Sequence, residues 1–376
     1  VQNESTLLYS TMEDGQADVD FYRESHMQEG DEIYGENITF TPQPQVSIVI
    51  EDQKTGHIVA MVGGRGKKTA SRTLNRATDT TRQPGSTFKI VSTYLPALDS
   101  AGLTLADVHM DEPYNYEDGR PIKNANGKFS GICSFREGIR NSINIIAVKT
   151  LTQITPQLGF DYLQNLGFTT LVTDKVVGDE VFSDINQSLA LGGITNGVKN
   201  EELTAAYAAI ANGGVYNEPI LYTKITDHDG NVIIDKTETQ QSRRVIKEPT
   251  SFLLTNAMQD VVTSGTGASV NFGNMSIAGK TGTTSDYVDV WFAGYTPYYT
   301  AATWAGYDNT LTATRLRTDQ EKRLARNLWR IVMSEIHAEL PNESFPTPSG
   351  IVTATVCSQS GKLPVPGLCD GTQNNE

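Results

Sequence analysis

The sequence predicts an α+β fold, on three observations. Strand patterns lie at 45–64 and again at 276–307, and helix patterns fill most of the stretch between them. Both strand regions are interrupted by turn residues, as antiparallel hairpins are. At 376 residues the chain is longer than a single core usually grows, so one large domain with appendages, or two domains, is expected.

The elements follow in order. Residues 1–40 are acidic and polar and read as a linker, with a boundary at Thr41-Pro42-Gln43-Pro44. Two strands at 45–50 and 57–64 flank the turn Asp52-Gln53-Lys54-Thr55-Gly56. His57 opens the second strand, where a structural or exposed role is expected of it. A basic-polar loop spans 65–81. Pro84 and Gly85 then punctuate the chain, and 86–98 follow with helical periodicity. Residues 101–140 are less regular, with turns at Glu112-Pro113 and Asn124-Ala125-Asn126-Gly127. The run 135–148 reads as a helix, a short polar loop and an apolar helix. The stretch 156–220 reads as helical and includes an Ala-rich helix at 201–214. Short strands surround Asp229-Gly230, and a helix is expected at 251–262. Consecutive antiparallel strands follow from Ile277 to Tyr307, then a helix over 321–336 and a tail over 341–376 rich in Pro, Gly and Ser.

Composition narrows the class of function. A hydrophobic fraction of 38% with 20% charged residues is that of a globular protein. No run of about 18 apolar residues occurs, so no membrane span is expected. A net charge of −14 argues against nucleic acid as a partner, because phosphates need a basic surface. The start, Val1-Gln2-Asn3-Glu4, is neither an initiator methionine nor a signal peptide, and the chain reads as part of something longer. Cys357 and Cys369 bracket a small loop that, closed as a disulfide, would contribute about 3 kcal/mol in the chain-entropy model. That pairing implies an extracytoplasmic compartment; unpaired thiols are the alternative. Cys133 is left over, and no zinc spacing is present, so neither a metal nor a cofactor is expected.

Three short motifs carry chemistry. Ser86-Thr87-Phe88-Lys89 sets a hydroxyl at a helix start and an amine three residues on, on the same face and within its reach. A lysine whose pKa is depressed by burial or a nearby cation can take the serine proton. The helix start adds N–H groups suited to an oxyanion. Ser142-Ile143-Asn144 offers two hydrogen-bonding side chains in a loop between helices. Lys280-Thr281-Gly282-Thr283 sets a cation and hydroxyls on a strand where Gly282 lets a backbone or ligand approach, a pattern suited to a carboxylate. Each motif alone is as well explained by a capped helix or an exposed strand. The three in this order and in these contexts are not.

The set marks penicillin-binding proteins and class A β-lactamases. The chain resembles the transpeptidase domain of a bifunctional (class A) penicillin-binding protein. The likeness extends to 59–64, Arg82-Gln83-Pro84-Gly85, 189–193, 208–214, Ser264-Gly265-Thr266-Gly267, 289–292 and 304–308, and covers residues 41–310. Ile143, where β-lactamases carry an aspartate, leans toward a penicillin-binding protein. The resemblance implies a five-stranded antiparallel sheet flanked by helices, with a mostly helical subdomain inserted between Ser86 and Lys280. It implies a transpeptidase domain at 41–340, between an interdomain linker at 1–40 and the tail at 341–376. It also implies a glycosyltransferase domain and a membrane anchor before Val1, at the extracytoplasmic face of the bacterial membrane.

The activity the resemblance implies is cross-linking of peptidoglycan stem peptides, inhibited by β-lactams. Ser86 would be the nucleophile and Lys89 its proton acceptor. Lys280 would keep Lys89 neutral and attract the substrate carboxylate, beside Thr281, Gly282 and Thr283. Ser142 would relay a proton to the leaving D-alanine and Asn144 would orient the acyl chain. The N–H groups of Ser86 and Thr283 would form the oxyanion hole. A D,D-carboxypeptidase with water as acceptor and a sensor acylated by a β-lactam stay open. No acidic residue stands out as the deacylation base that a β-lactamase needs.

Overall fold

Five segments rich in alanine, aromatic and β-branched residues pair into one antiparallel sheet: β1 (Gln45–Asp52), β2 (His57–Val62), β3 (Ala278–Thr283), β4 (Asp289–Tyr295) and β5 (Thr300–Gly306). The strand order is β3-β4-β5-β1-β2, so the early hairpin docks onto the late three-stranded unit. Ile48 stands opposite Thr303, Trp291 opposite Trp304 and Lys280 opposite Ala293. The computed structural model describes residues 8–36, 38–68, 70–309, 315–369 and 373–375. Residues 1–7 of the expected linker and 370–372 and 376 of the expected tail lie outside the described residues, as does Asn37.

Every residue of β4 and β5 is buried, because helices cover both faces of the sheet. Trp291, Ala293, Ala302 and Trp304 point into the main core, while Phe292 and Ala301 join a second core with Trp329 and Met333 on the other face.

Besides a single short turn at Lys236–Thr239, the α-helices among the described residues are α1 (Met12–His26), α2 (Leu95–Asp99), α3 (Phe135–Arg140), α4 (Asn144–Ile154), α5 (Pro156–Asn165), α6 (Asn200–Ala211), α7 (Glu248–Thr263) and α8 (Leu324–Ile336). α6 and α7 pack on the main-core face, and α8 on the other, where Trp329 Nε1 donates to Ala301 O at 3.0 Å.

Two departures from the sequence reading have local causes. The expected linker contains α1, started by a capping box between Thr11 and Asp14 that offsets its polar composition. The stretch 156–220 is not helical throughout. Lys175–Val177 and Glu180–Phe182 form a hairpin around Gly178-Asp179, where β-branched residues flank a Gly-led two-residue turn. The tail also packs on the domain. Lys362 Nζ pairs with Asp107 Oδ1 at 2.6 Å, and Cys357 and Cys369 are buried, as is Cys133.

Candidate active site

The turn that carries Ser86 is pinned from three sides. Arg82 exchanges backbone hydrogen bonds with Val198 at 2.9 and 2.8 Å. Its guanidinium Nε lies 2.7 Å from Asp289 Oδ1, and both side chains are nearly buried. Trp291 Nε1 donates to Gln83 O at 2.9 Å, and Gln83 Oε1 accepts from Ile194 N at 3.1 Å. Gly85 then takes φ +55°, and a Cβ there would stand 2.7 Å from Thr283 O. Gly282 faces the same seam, where a Cβ would stand 2.6 Å from Pro84 O. The expected close approach at Gly282 is therefore made by the backbone in front of Ser86.

The chain continues as a 3₁₀ turn over Gly85–Thr87 and a π-helical segment over Lys89–Tyr94 before α2 begins. π-Helical segments are rare and recur at functional sites. This is not the uniform helix that periodicity suggests. Ser86 is half-buried, and its hydroxyl, one turn before Lys89, makes no hydrogen bond to a described residue.

Lys89 instead reaches the second motif. Its Nζ donates to Ser142 O at 2.5 Å and Asn144 Oδ1 at 2.6 Å, and lies 3.2 Å from Ser142 Oγ. Lys280 Nζ donates to the same Ser142 Oγ at 2.7 Å and to Thr281 O at 3.1 Å. Ser142 has φ +55°, a left-handed conformation uncommon outside glycine, and turns both its oxygens to the amines. Lys89, Ser142, Asn144 and Lys280 thus share one hydrogen-bonded cluster, with Ser86 one turn before Lys89. Thr281 Oγ1 pairs with Thr266 Oγ1 at 2.8 Å, and Thr283 ends β3 on its exposed side.

Both lysines are 0% exposed, and among the described residues no carboxylate pairs with either. Burial without a counter-charge disfavours the ammonium form. Burial, then the neighbouring charge of Lys280, holds Lys89 well below the usual lysine range. Burial alone lowers Lys280 to about 7. Burial and the neighbouring amine thus both act against the ammonium form of Lys89, and burial acts against that of Lys280.

A cavity of about 440 Å³ adjoins Ser142, lined by Asp111, Asn124, Asn126, Ser264 and Thr266 among others. Sequence reasoning assigned no site role to Thr266 or Asn124, nor to the Arg82–Asp289 pair. The SGTG run and the Asn124 turn were visible, but nothing local told what either would touch. Among the described residues no group of three or more His, Cys, Asp or Glu is arranged to hold a metal ion.

This geometry coincides with a family match. The family model described as the penicillin binding protein transpeptidase domain matches residues 46–333. The chain belongs to that family. Penicillin-binding protein 1A of Clostridium botulinum (strain Hall) is 36% identical over 333 residues, which are 85% of this chain and 38% of the relative. Penicillin-binding protein 1A/1B of Bacillus subtilis is 29% identical, across 86% of this chain and 35% of its own length. The chain thus spans well under half of the curated relatives it matches. Among solved structures, penicillin-binding protein 1A of Haemophilus influenzae superposes with a TM-score of 0.73 at 24% identity, over 88% of this chain and 54% of that one. PonA1 of Mycobacterium tuberculosis, in complex with penicillin V, gives 0.70 at 23% identity, over 93% and 88%. These two likenesses carry the fold, and the family match identifies a class A-type transpeptidase domain.

Proposed function

We propose that this penicillin-binding transpeptidase domain cross-links peptidoglycan stem peptides through an acyl-enzyme on Ser86. Ser86 Oγ attacks the carbonyl carbon between two D-alanines, and Lys89 Nζ takes its proton. N–H groups of Ser86 and Thr283 receive the oxyanion, where losing one donor typically costs about 10²–10³ in rate. The C–N bond then breaks, and the departing D-alanine amine takes a proton by way of Ser142. An amine of a neighbouring stem attacks the ester, the C–O bond breaks, and Ser86 recovers its proton. Lys280, Thr281, Gly282 and Thr283 hold the terminal carboxylate, and Asn144 orients the acyl chain. A β-lactam enters as the D-Ala-D-Ala end does and acylates Ser86. The domain spans 41–340, and the whole protein carries an anchor and a glycosyltransferase domain at the extracytoplasmic face of the membrane. Among the described residues no helix is long and apolar enough to cross a membrane.

One observation carries the reading: Lys89 is buried beside Lys280 with no carboxylate paired to it among the described residues, which disfavours its charged form, as the role of a serine's base requires. The test is intact mass after mixing with a simple penicillin, with Ser86→Ala alongside. One persistent adduct, absent in the variant, is expected. An adduct that forms equally on Ser86→Ala would sink the assignment, and rapid release with drug turnover would indicate a β-lactamase. With stem peptides, cross-linked dimers are expected; trimmed monomers alone would make the domain a carboxypeptidase.

A further inference from the structure

We infer that Asn124 is a positioning residue that sets the location of the Asn144 amide, whose sense the adjoining Lys123 carbonyl fixes, and so the acceptor that Lys89 meets; the inference rests on the transpeptidase reading above. Helix α4 begins at Asn144, and its N-cap, Ile143, has no side-chain oxygen for the first helical amides. Asn124, twenty residues upstream of Asn144, supplies it. Its Oδ1 accepts from Asn144 N at 3.0 Å and from Ile145 N at 3.4 Å. Its Nδ2 donates to Asp111 Oδ1 at 2.8 Å and to Lys128 O at 2.9 Å. The donors and acceptor of this 8% exposed amide are thereby all engaged. Asp111 is anchored in turn, its Oδ2 accepting from Ser130 N at 2.8 Å.

The residue beside Asn124 completes the arrangement. Lys123 O accepts from Asn144 Nδ2 at 2.7 Å. With Nδ2 committed there, Oδ1 is the atom that faces Lys89 Nζ, at 2.6 Å. An amide turned the other way would present N–H to N–H, and Lys89 would lose an acceptor. The bonds that Asn124 Oδ1 accepts from Asn144 N and Ile145 N hold α4 in place, and the Lys123 carbonyl, carried on the same loop, chooses which end of the Asn144 amide points at the base.

The rival role is that Asn124 only anchors its own loop. A double-mutant cycle on penicillin acylation of the full chain separates the two. Asn124→Ala is expected to slow acylation by about 10²-fold, the scale of a misplacement of roughly 1 Å. In the Asn144→Ala background the same change is expected to add nothing, because both act through one amide. Losses that multiply, or an Asn124→Ala rate equal to the parent's, overturn the inference. If Asn124→Ala does not fold, the exchange Asn124→Asp with Asp111→Asn is read instead, since it keeps an oxygen toward α4 and a donor between the pair. Acylation within about threefold of the parent supports the inference, beyond the scatter expected of independent sites, and a 10²-fold loss overturns it. The parent and Ser86→Ala run alongside. A parent that forms no adduct removes the transpeptidase reading and this inference with it, whereas a normal parent beside an unaffected Asn124→Ala removes the inference alone.

Discussion

The two walls of the cleft are held by different physics. On the sheet wall, β3 is seated by contact: Gly282 meets Pro84 and Thr87, and Gly85 meets Thr283, at distances that leave no room for a methyl group. On the helical wall, Ser142 and Asn144 are held by directional bonds, to two amines on one side and to Lys123 and Asn124 on the other. Close packing sets where a backbone lies, at interior density and with little tolerance for added volume. Hydrogen bonds set which atom of a side chain faces which. The packed backbone of the sheet wall should therefore answer mutation chiefly in stability, and the hydrogen bonds between the walls, that of Lys280 to Ser142 included, chiefly in rate and pH dependence.

The largest effect is expected behind the sheet wall. Asp289→Ala strands the Arg82 guanidinium, which is only 9% exposed, and also removes the acceptor for Trp304 Nε1. Breaking one side of a buried pair typically costs about 3–5 kcal/mol, to be read from denaturant unfolding. A loss under about 1 kcal/mol would place this pair with surface ion pairs and weaken the comparison. Gly282→Ala comes next. Its Cβ would stand 2.6 Å from Pro84 O and 2.8 Å from Trp291 Cβ, so overpacking of about 1–3 kcal/mol is expected, with acylation falling alongside. An unchanged melting temperature would mean that this seam has slack.

Thr266→Val probes the bond between the SGTG loop and β3. Removing one hydroxyl pair, 2.8 Å apart, should cost about 1 kcal/mol. The smallest change in stability, but a distinct one in chemistry, is expected from Lys280→Gln. The positive charge of Lys280 helps to lower Lys89, so its removal lets Lys89 hold a proton to higher pH. The neutral base then appears later on titration, and the acid limb of the acylation rate moves to higher pH. A limb that stays put or moves to lower pH would show that Lys280 does not tune the base.

Much of the fold was legible because its signals are local. Alternating and apolar runs marked all five sheet strands, and turn residues marked the hairpins. The hairpin at 175–182 was missed because a short exposed β-branched run has no strong period, and α1 because its polar composition hid a capped helix. In the site, the motif residues stood out by type and spacing, whereas Thr266, Asn124 and Asp289 are ordinary residues whose importance lies in distant partners.

By itself the sequence determined that a helical run begins around Ser86 and Lys89, though not its change from 3₁₀ to π-helical winding, that Ser142 and Asn144 flank an interhelical turn, and that Lys280 lies on a strand. Those outcomes depend on periodicity and turn chemistry within a few residues. Tertiary structure alone decided that Lys89 bonds to Ser142 and Asn144 rather than to Ser86, that both lysines lose water, and that Arg82 meets Asp289 at a sequence separation of 207. The physical reason is that burial and charge coupling are properties of the packed neighbourhood, and here that neighbourhood is assembled from segments around 86, 142 and 280 that no local pattern connects.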